Sequence, residues 1–543
     1  MPRFLADLSR LFSSPRFWLL AVIGFTLLYF FLEHEGFYYG DDYSYGLYAH
    51  QLIAGGFRFD DYPFCHRFMV FVPTALFYWL WGVNAYTTSL WPLCCSLGTL
   101  MVVYFTFRRE HPVAANWAMV FFGFYYFQLN TVTYLYPDNI LLFLTLCCLI
   151  VLYQARKQLA SSTKEVLYGI CFVILNLMAF LTKETIVYAL PFYLIIFLYQ
   201  LNRGENRRFW VTSVLTGTLL LSIYFLMYEV FAGNAFQRFQ DIETAGRYVT
   251  GEEYFAKRSS VLLSRLTYKP FLFFAGSGLA VPIGFAVAAT ILGGRNSSFA
   301  LNNSLGFWSI ASLSMLFCIW FGSVSLHYYK PMYLQPRMFH PMLPAFCIVA
   351  GLAVEQIWTQ RRLYLILALL FLLCAYVAGG SMWAIYLPLT FFFLIFFIAK
   401  KPIPFFLGLT AVAIATSIRP IYFIFKPTVF YYTDQKAIID KHLRHPSGNY
   451  VVLTDSAMLV KYDFFYGYQT PKNYDYQRYS AFDATKITHA DSVFLLINNG
   501  VLEHPDMGIR TRERDILPLF PAAELIDQKG KVKLFYLPKD TLR

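Results

Sequence analysis

The chain has 543 residues, of which 58% are hydrophobic and 14% charged, and this is more apolar surface than one water-facing core can bury. The formal net charge of +12 is no nucleic-acid footprint, because Lys and Arg fall mostly in short connectors beside apolar runs and not in one patch. Composition thus excludes an ordinary soluble domain and a nucleic-acid binder, and leaves membrane lipid as the expected surrounding.

A helix needs ~20 apolar residues to cross the hydrocarbon. In chain order, the runs that reach or approach this are centred in 17–35, 88–107, 113–129, 139–155, 166–181, 185–201, 209–229, 271–292, 303–322, 338–358, 363–379, 382–399 and 403–424, which predicts about thirteen spans. Arg3, Arg10 and Arg16 precede the first run. No small-residue cleavage site follows it, so it reads as a retained span and not as a signal peptide.

The connectors carrying Arg108 and Arg109, then Arg156, Lys157 and Lys164, then Arg203, Arg207 and Arg208, then Arg295, Arg361 with Arg362, and Lys400 with Lys401 alternate with sparsely basic ones. The positive-inside rule places this set and the N-terminus in the cytoplasm. The run 67–82 is apolar but short and contains Pro73. If it crossed, every later basic connector would move outside, so it is expected to lie along the outer surface as a juxtamembrane helix within a long outer loop, 36–87.

An odd number of spans puts the C-terminus outside. There the composition turns mixed, with a helical stretch at 434–444 and β-like runs at 450–453 and 493–497. The expected fold class is a polytopic α-helical membrane protein over 1–425, with a small C-terminal extracytoplasmic α/β domain over 426–543. Of the nine cysteines, all but Cys65 sit in apolar stretches as small hydrophobes, and neither a disulfide framework nor metal-ligand spacing follows.

With this topology the acids Asp41, Asp42, Asp60, Asp61 and Asp138 fall in outward-facing loops, together with Lys183, Glu184, Lys269, Lys330 and Arg337. A membrane enzyme acting on a phospholipid-linked substrate needs a carboxylate to accept a proton and cations to hold a departing phosphate. Each residue also has a plainer reading. Asp41 and Asp42 fit a solvated helix start, Asp138 a helix cap, Lys183 with Glu184 a compensating pair, Lys269 and Lys330 interfacial snorkellers, and His66 and His340 packed histidines. Arg337 favours phosphate, because its guanidinium is a planar, always-charged fork. The scattered carboxylates admit a divalent cation but supply no ligand set for one.

The string Gly-Asp-Asp-Tyr-Ser-Tyr-Gly-Leu-Tyr-Ala-His at 40–50, then Gly55-Gly56-Phe57, then Tyr62 and His66 before an aromatic helix ending Trp81-Gly82, resembles the first outer loop of GT-C-type glycosyltransferases. These include the protein O-mannosyltransferase and lipid A aminoarabinose transferase relatives. The likeness continues through Tyr136-Pro137-Asp138, Leu181-Thr182-Lys183-Glu184 and the proline-punctuated Pro336-Arg337-Met338-Phe339-His340-Pro341. Relatives begin the loop with an Asp-Glu pair, so Asp42 stands in place of a Glu. They often place two prolines after a basic residue, where this chain has His66-Arg67-Phe68.

The resemblance implies transfer of a sugar from a polyprenyl-phosphate donor to a lipid, protein or polysaccharide acceptor on the periplasmic side of a bacterial inner membrane, with inversion. Asp41, Asp42 and Asp138 would be the catalytic acids. Arg337, Lys183, Arg67, Lys269 and Lys330 would bind the donor phosphate, with Glu184 and His66 in support. A lipid-linked-glycan flippase and a non-catalytic membrane scaffold are the alternatives. A flippase would carry its ionisable groups within spans and show internal repeats.

Overall fold

The computed structural model describes residues 10–34, 40–157, 162–249, 259–292, 299–325, 329–426, 429–444 and 448–539. Arg3 and Arg295, two of the basic residues used for topology, lie outside these ranges. The chain runs α1 (Pro15–Glu33), α2 (Asp41–Ile53), α3 (Phe68–Trp81), α4 (Ala85–Phe107), α5 (Pro112–Gly123), α6 (Pro137–Lys157), α7 (Ser162–Phe180), α8 (Leu190–Arg203), α9 (Arg207–Ala232) and α10 (Gln237–Val249). It continues through α11 (Ser259–Leu266), α12 (Lys269–Ser277), α13 (Ala280–Leu292), α14 (Ser304–Phe321), α15 (Leu343–Ile357), α16 (Arg361–Ala378), α17 (Trp383–Ala399), α18 (Phe405–Phe425) and α19 (Tyr432–His442). Two-turn 3₁₀ stretches at Glu184–Ala189 and Pro336–Met342 lead directly into α8 and α15.

Eleven helices among the described residues are long and apolar enough to cross a membrane: α1, α4, α6 to α9 and α14 to α18. A twelfth span exists if α12 and α13 are counted together, although their axes differ by 112°. Gly278 sits at that break with φ +83°, a left-handed conformation that a Cβ disfavours. The remaining expected span is α5, whose 12 residues reach only ~18 Å of the ~30 Å hydrocarbon core. Pro112 opens α5, and Gly123 is its last residue. The thirteen expected runs are therefore eleven full spans, one bent pair and one half-length helix. α3, with 14 residues, spans ~21 Å and is likewise too short to cross unaided.

The surface confirms the solvent. Leu215, Leu219, Ile223, Leu226 and Val230 form an exposed stripe at helical spacing along α9, an apolar patch that a water-soluble monomer rarely carries. The chain is an integral membrane protein. α15 and α6 are the enclosed spans, with 89% and 72% of their apolar windows buried, against 17% for α7 and α9 at the rim. Arg337 and Asp138 lie at the N-terminal ends of these two central spans.

The C-terminal part is a five-stranded sheet of order β2-β1-β3-β5-β4, with β1 (Tyr450–Thr454), β2 (Tyr474–Arg478), β3 (Ser492–Asn498), β4 (Glu524–Lys529) and β5 (Val532–Leu537). β2, β1 and β3 are parallel, whereas β5 pairs antiparallel with β3 and β4. Alternate residues face opposite sides of a strand. Val452, Leu496 and Leu534 accordingly pack with Ile438 and Phe464 on one side, while Val451, Leu453 and Leu495 pack with Ile487 and Ile516 on the other.

The span between Pro336 and Ile357, 22 residues long, separates Arg337 from Arg361 by ~33 Å. A cysteine replacing Arg109 or Arg362 should therefore be labelled by a membrane-impermeant reagent only from the face opposite Asp41. Labelling of position 109 from the Asp41 face would mean that α3 crosses the membrane.

Candidate active site

Gly40 precedes α2 in extended conformation, and a Cβ there would lie 3.2 Å from the Tyr136 hydroxyl. The chain therefore passes close beneath the loop leading into α6. Asp41 and Asp42 follow in the first turn, where the helix dipole favours acids. Successive helical side chains point ~100° apart, which separates the two.

Asp42 turns inward at 2% exposure, and its Oδ1 accepts from the backbone N–H groups of Gly40 (3.2 Å) and Tyr43 (3.1 Å). Asp41 keeps a side chain 35% exposed, with Oδ2 3.3 Å from Arg337 Nη1. One acid is thus committed to the backbone, and the other is held at the surface by a single long ion pair.

Arg337 reaches this position from the 3₁₀ stretch before α15, with its guanidinium over the Tyr136 ring at 4.7 Å. The strand-like segment before it is pinned by Arg265, which donates to the Met332 carbonyl through Nε (3.1 Å) and Nη2 (2.7 Å). Below Arg337, Lys183 Nζ donates to Asp138 Oδ1 at 2.7 Å and also lies 3.4 Å from Met338 Sδ. Burial pushes the Lys183 ammonium below the usual lysine range, and Asp138 opposes that push.

Asp138 is 1% exposed. Its Oδ2 and both ring nitrogens of the fully buried His340 have no hydrogen-bond partner among the described residues. A buried polar group left unsatisfied costs about 1–3 kcal/mol, so this corner favours an incoming polar group or water. Asp138 is not a helix cap, and Lys183 does not pair with Glu184; each takes the other as its partner.

Glu184 instead binds two guanidinium groups, Arg238 Nη2 at 2.7 Å and Arg67 Nη2 at 3.3 Å. Arg67 also donates to the Tyr45 hydroxyl at 2.5 Å. Burial works against the Arg67 charge, but Tyr45 and Glu184 outweigh it and hold the group above its ordinary value. Arg238, fully buried over the Phe180 ring, comes from α10.

One turn further along α10, Asp241 meets His66 Nε2 at 2.8 Å, while Tyr228 approaches Nδ1 at 3.0 Å. Burial pushes the His66 imidazole down, and the ring acts as a packed bridge between these two. Residues i and i+3 share a helix face, so α10 braces both Glu184 and His66. Arg238 and Asp241 were not foreseen from the sequence, because α10 is a polar connector without an apolar run; their spacing on one face is the signal that could have found them.

Lys269 and Lys330 stand apart. Lys269 opens α12 and makes no ion pair with any described residue. Burial lowers the Lys330 pKa, and Glu243 is the carboxylate that opposes this. The cations acting on Asp138 are Lys183 and Arg337. Asp60 accepts from the Tyr48 hydroxyl (2.8 Å) and the Tyr62 N–H (3.0 Å) and is occupied in folding its own loop. Among the described residues no three His, Cys, Asp or Glu side chains converge as ligands of a metal would.

This bundle of enclosed central spans, with an acid-bearing helix after the first span and a small sheet at the C-terminus, is the fold of ArnT from Cupriavidus metallidurans. No family model and no curated protein matches the sequence itself. The structure is similar to ArnT from Cupriavidus metallidurans in the apo state, with a TM-score of 0.55, 13% identity, and coverage of 96% of this chain and 98% of that one. It is similar in the same measure to ArnT bound to undecaprenyl phosphate, at 14% identity, 0.55 and the same coverages. The Archaeoglobus fulgidus oligosaccharyltransferase gives a lesser likeness, 0.46 at 11% identity over 89% of this chain and 69% of that one.

Proposed function

We propose that the protein is an integral-membrane glycosyltransferase that takes a sugar from a polyprenyl-phosphate donor and places it on an acceptor at the periplasmic face, with inversion. The observation that carries this reading is Asp41, a partly exposed carboxylate 3.3 Å from Arg337, whose guanidinium also acts on the buried Asp138 and Lys183. The ArnT fold, one of whose crystal structures is bound to undecaprenyl phosphate, supports the donor class. Residues 1–425 would form the catalytic membrane domain and 426–543 a separate extracytoplasmic domain.

In the proposed reaction, Asp41 accepts the acceptor's hydroxyl proton as its oxygen bonds to the anomeric carbon. The bond from that carbon to the phosphate oxygen breaks, and its electron pair leaves with the prenyl phosphate. The departing phosphate gains negative charge, which Arg337 and Lys183 stabilise, with Arg67 behind them. Arg337 holds Asp41 before donor arrives. A donor phosphate competes for the guanidinium and frees the carboxylate for the acceptor, so the donor binds first.

Arg337→Ala tests the cation role. Because Arg337 touches charge in both ground and transition states, the variant should raise KM for the donor and cut kcat/KM by about 10²–10³-fold. Initial rates over a series of undecaprenyl-phosphate sugar concentrations check this; an unchanged KM would remove Arg337 from the phosphate site.

A further inference from the structure

The segment after β1 docks on the helix that bears the acids. Tyr43 donates its hydroxyl to both Asp463 oxygens, at 2.9 and 3.1 Å, and Tyr468 donates to the Tyr43 carbonyl at 3.2 Å. The Tyr468 ring stacks on His50 at 5.4 Å. Its hydroxyl comes so near Gly46 that a Cβ there would lie 2.4 Å away, so this approach requires a glycine on the inner face of α2. These contacts join residues more than four hundred positions apart, and they carry Lys461 to within 5.8 Å of the Tyr43 ring centre, immediately beside the acids.

We propose that Lys461 is a positioning residue of the acid pair, delivered to the catalytic face by the docking of the C-terminal sheet region on α2. This rests on the glycosyltransferase reading above. Burial pushes the Lys461 ammonium down, and Asp42 and then Asp41 are the carboxylates that oppose this. The groups facing the acids are Arg337 and Tyr136 from the membrane bundle, Tyr45, Tyr62, Arg67 and Tyr78 from the outer loop, and Lys461 and Tyr468 from the sheet region. Lys461 is thus a cation contributed from outside the bundle, and Arg337 is drawn away when donor binds. Lys461 then holds the acids in their charged, proton-accepting form through the chemical step.

A cation beside a carboxylate favours its charged form, so removing it makes the base protonate more readily. The loss of rate then appears at low pH and is restored at high pH. In native membrane vesicles supplied with an undecaprenyl-phosphate-linked sugar, release of undecaprenyl phosphate by Lys461→Met should fall roughly three- to tenfold at about pH 5.5 relative to about pH 8. Lys461→Arg should keep the wild-type profile.

Lys461→Cys gives a second route: alkylation with bromoethylamine restores an amine on folded protein and should restore the low-pH rate, whereas the same treatment of wild type should not raise it. A Lys461→Met profile that coincides with wild type, or a loss equal at every pH, overturns the proposal. If Asp41→Asn is inactive in the same assay, that failure belongs to Lys461 alone; if Asp41→Asn is active, the reading of the site fails with it.

Discussion

Asp41→Asn should insert and melt as the wild type does yet lose turnover by ~10²–10⁴-fold, the usual cost of removing a proton acceptor. The carboxylate makes one long contact, to Arg337, and its side chain is a third exposed, so an amide of the same shape disturbs little packing. Donor affinity should hold or tighten, because the cations and apolar contacts it rests on stay in place and the amide no longer competes for Arg337. Asp42→Asn should be milder in rate and should act through the fold, since the Asp42 Oδ1 anchors the backbone N–H groups of Gly40 and Tyr43. Steady-state rates beside thermal unfolding of both variants check the contrast. A rate for Asp41→Asn within a few-fold of wild type would remove it as the base and leave Asp138 as the next candidate.

Lys183→Met should be the most destabilising single change in the site, by about 3–5 kcal/mol. It strands Asp138, a carboxylate 1% exposed whose Oδ2 already lacks a partner. Replacing both partners with apolar groups of similar size is often near neutral. The double variant Lys183→Met with Asp138→Leu should therefore recover most of the stability measured by denaturation in detergent. It should not recover turnover, because the proposed phosphate site would have lost its ammonium. A double variant that regains turnover would show that the pair serves only the fold.

The architecture was legible because lipid demands long apolar runs, and those runs are local. The helical stretch at 434–444 and the β-like runs at 450–453 and 493–497 appear as α19, β1 and β3, since each carries its own burial pattern. β4, largely exposed at the sheet edge, has no such pattern, and the bend at Gly278 leaves no break in hydropathy. The acids and Arg337 could be picked out as chemistry, but not their pairings. Lys183 and Glu184 are neighbours in sequence and suggest a pair, yet adjacent side chains diverge, and their partners, Asp138, Arg67 and Arg238, arrive from elsewhere in the chain. Lys461 was invisible for the same reason: only the docking of Tyr43 on Asp463 brings it to the acids.

The central claim is that this membrane protein cleaves a polyprenyl-phosphate sugar by passing the sugar to an acceptor. Its most direct test is to follow, in one reaction with native membrane vesicles and an undecaprenyl-phosphate-linked sugar, both the undecaprenyl phosphate released and the mass of the glycosylated product. Wild type should give equal amounts of the two and Asp41→Asn neither above background; undecaprenyl phosphate released equally by both proteins, or by neither, would rule this transfer out.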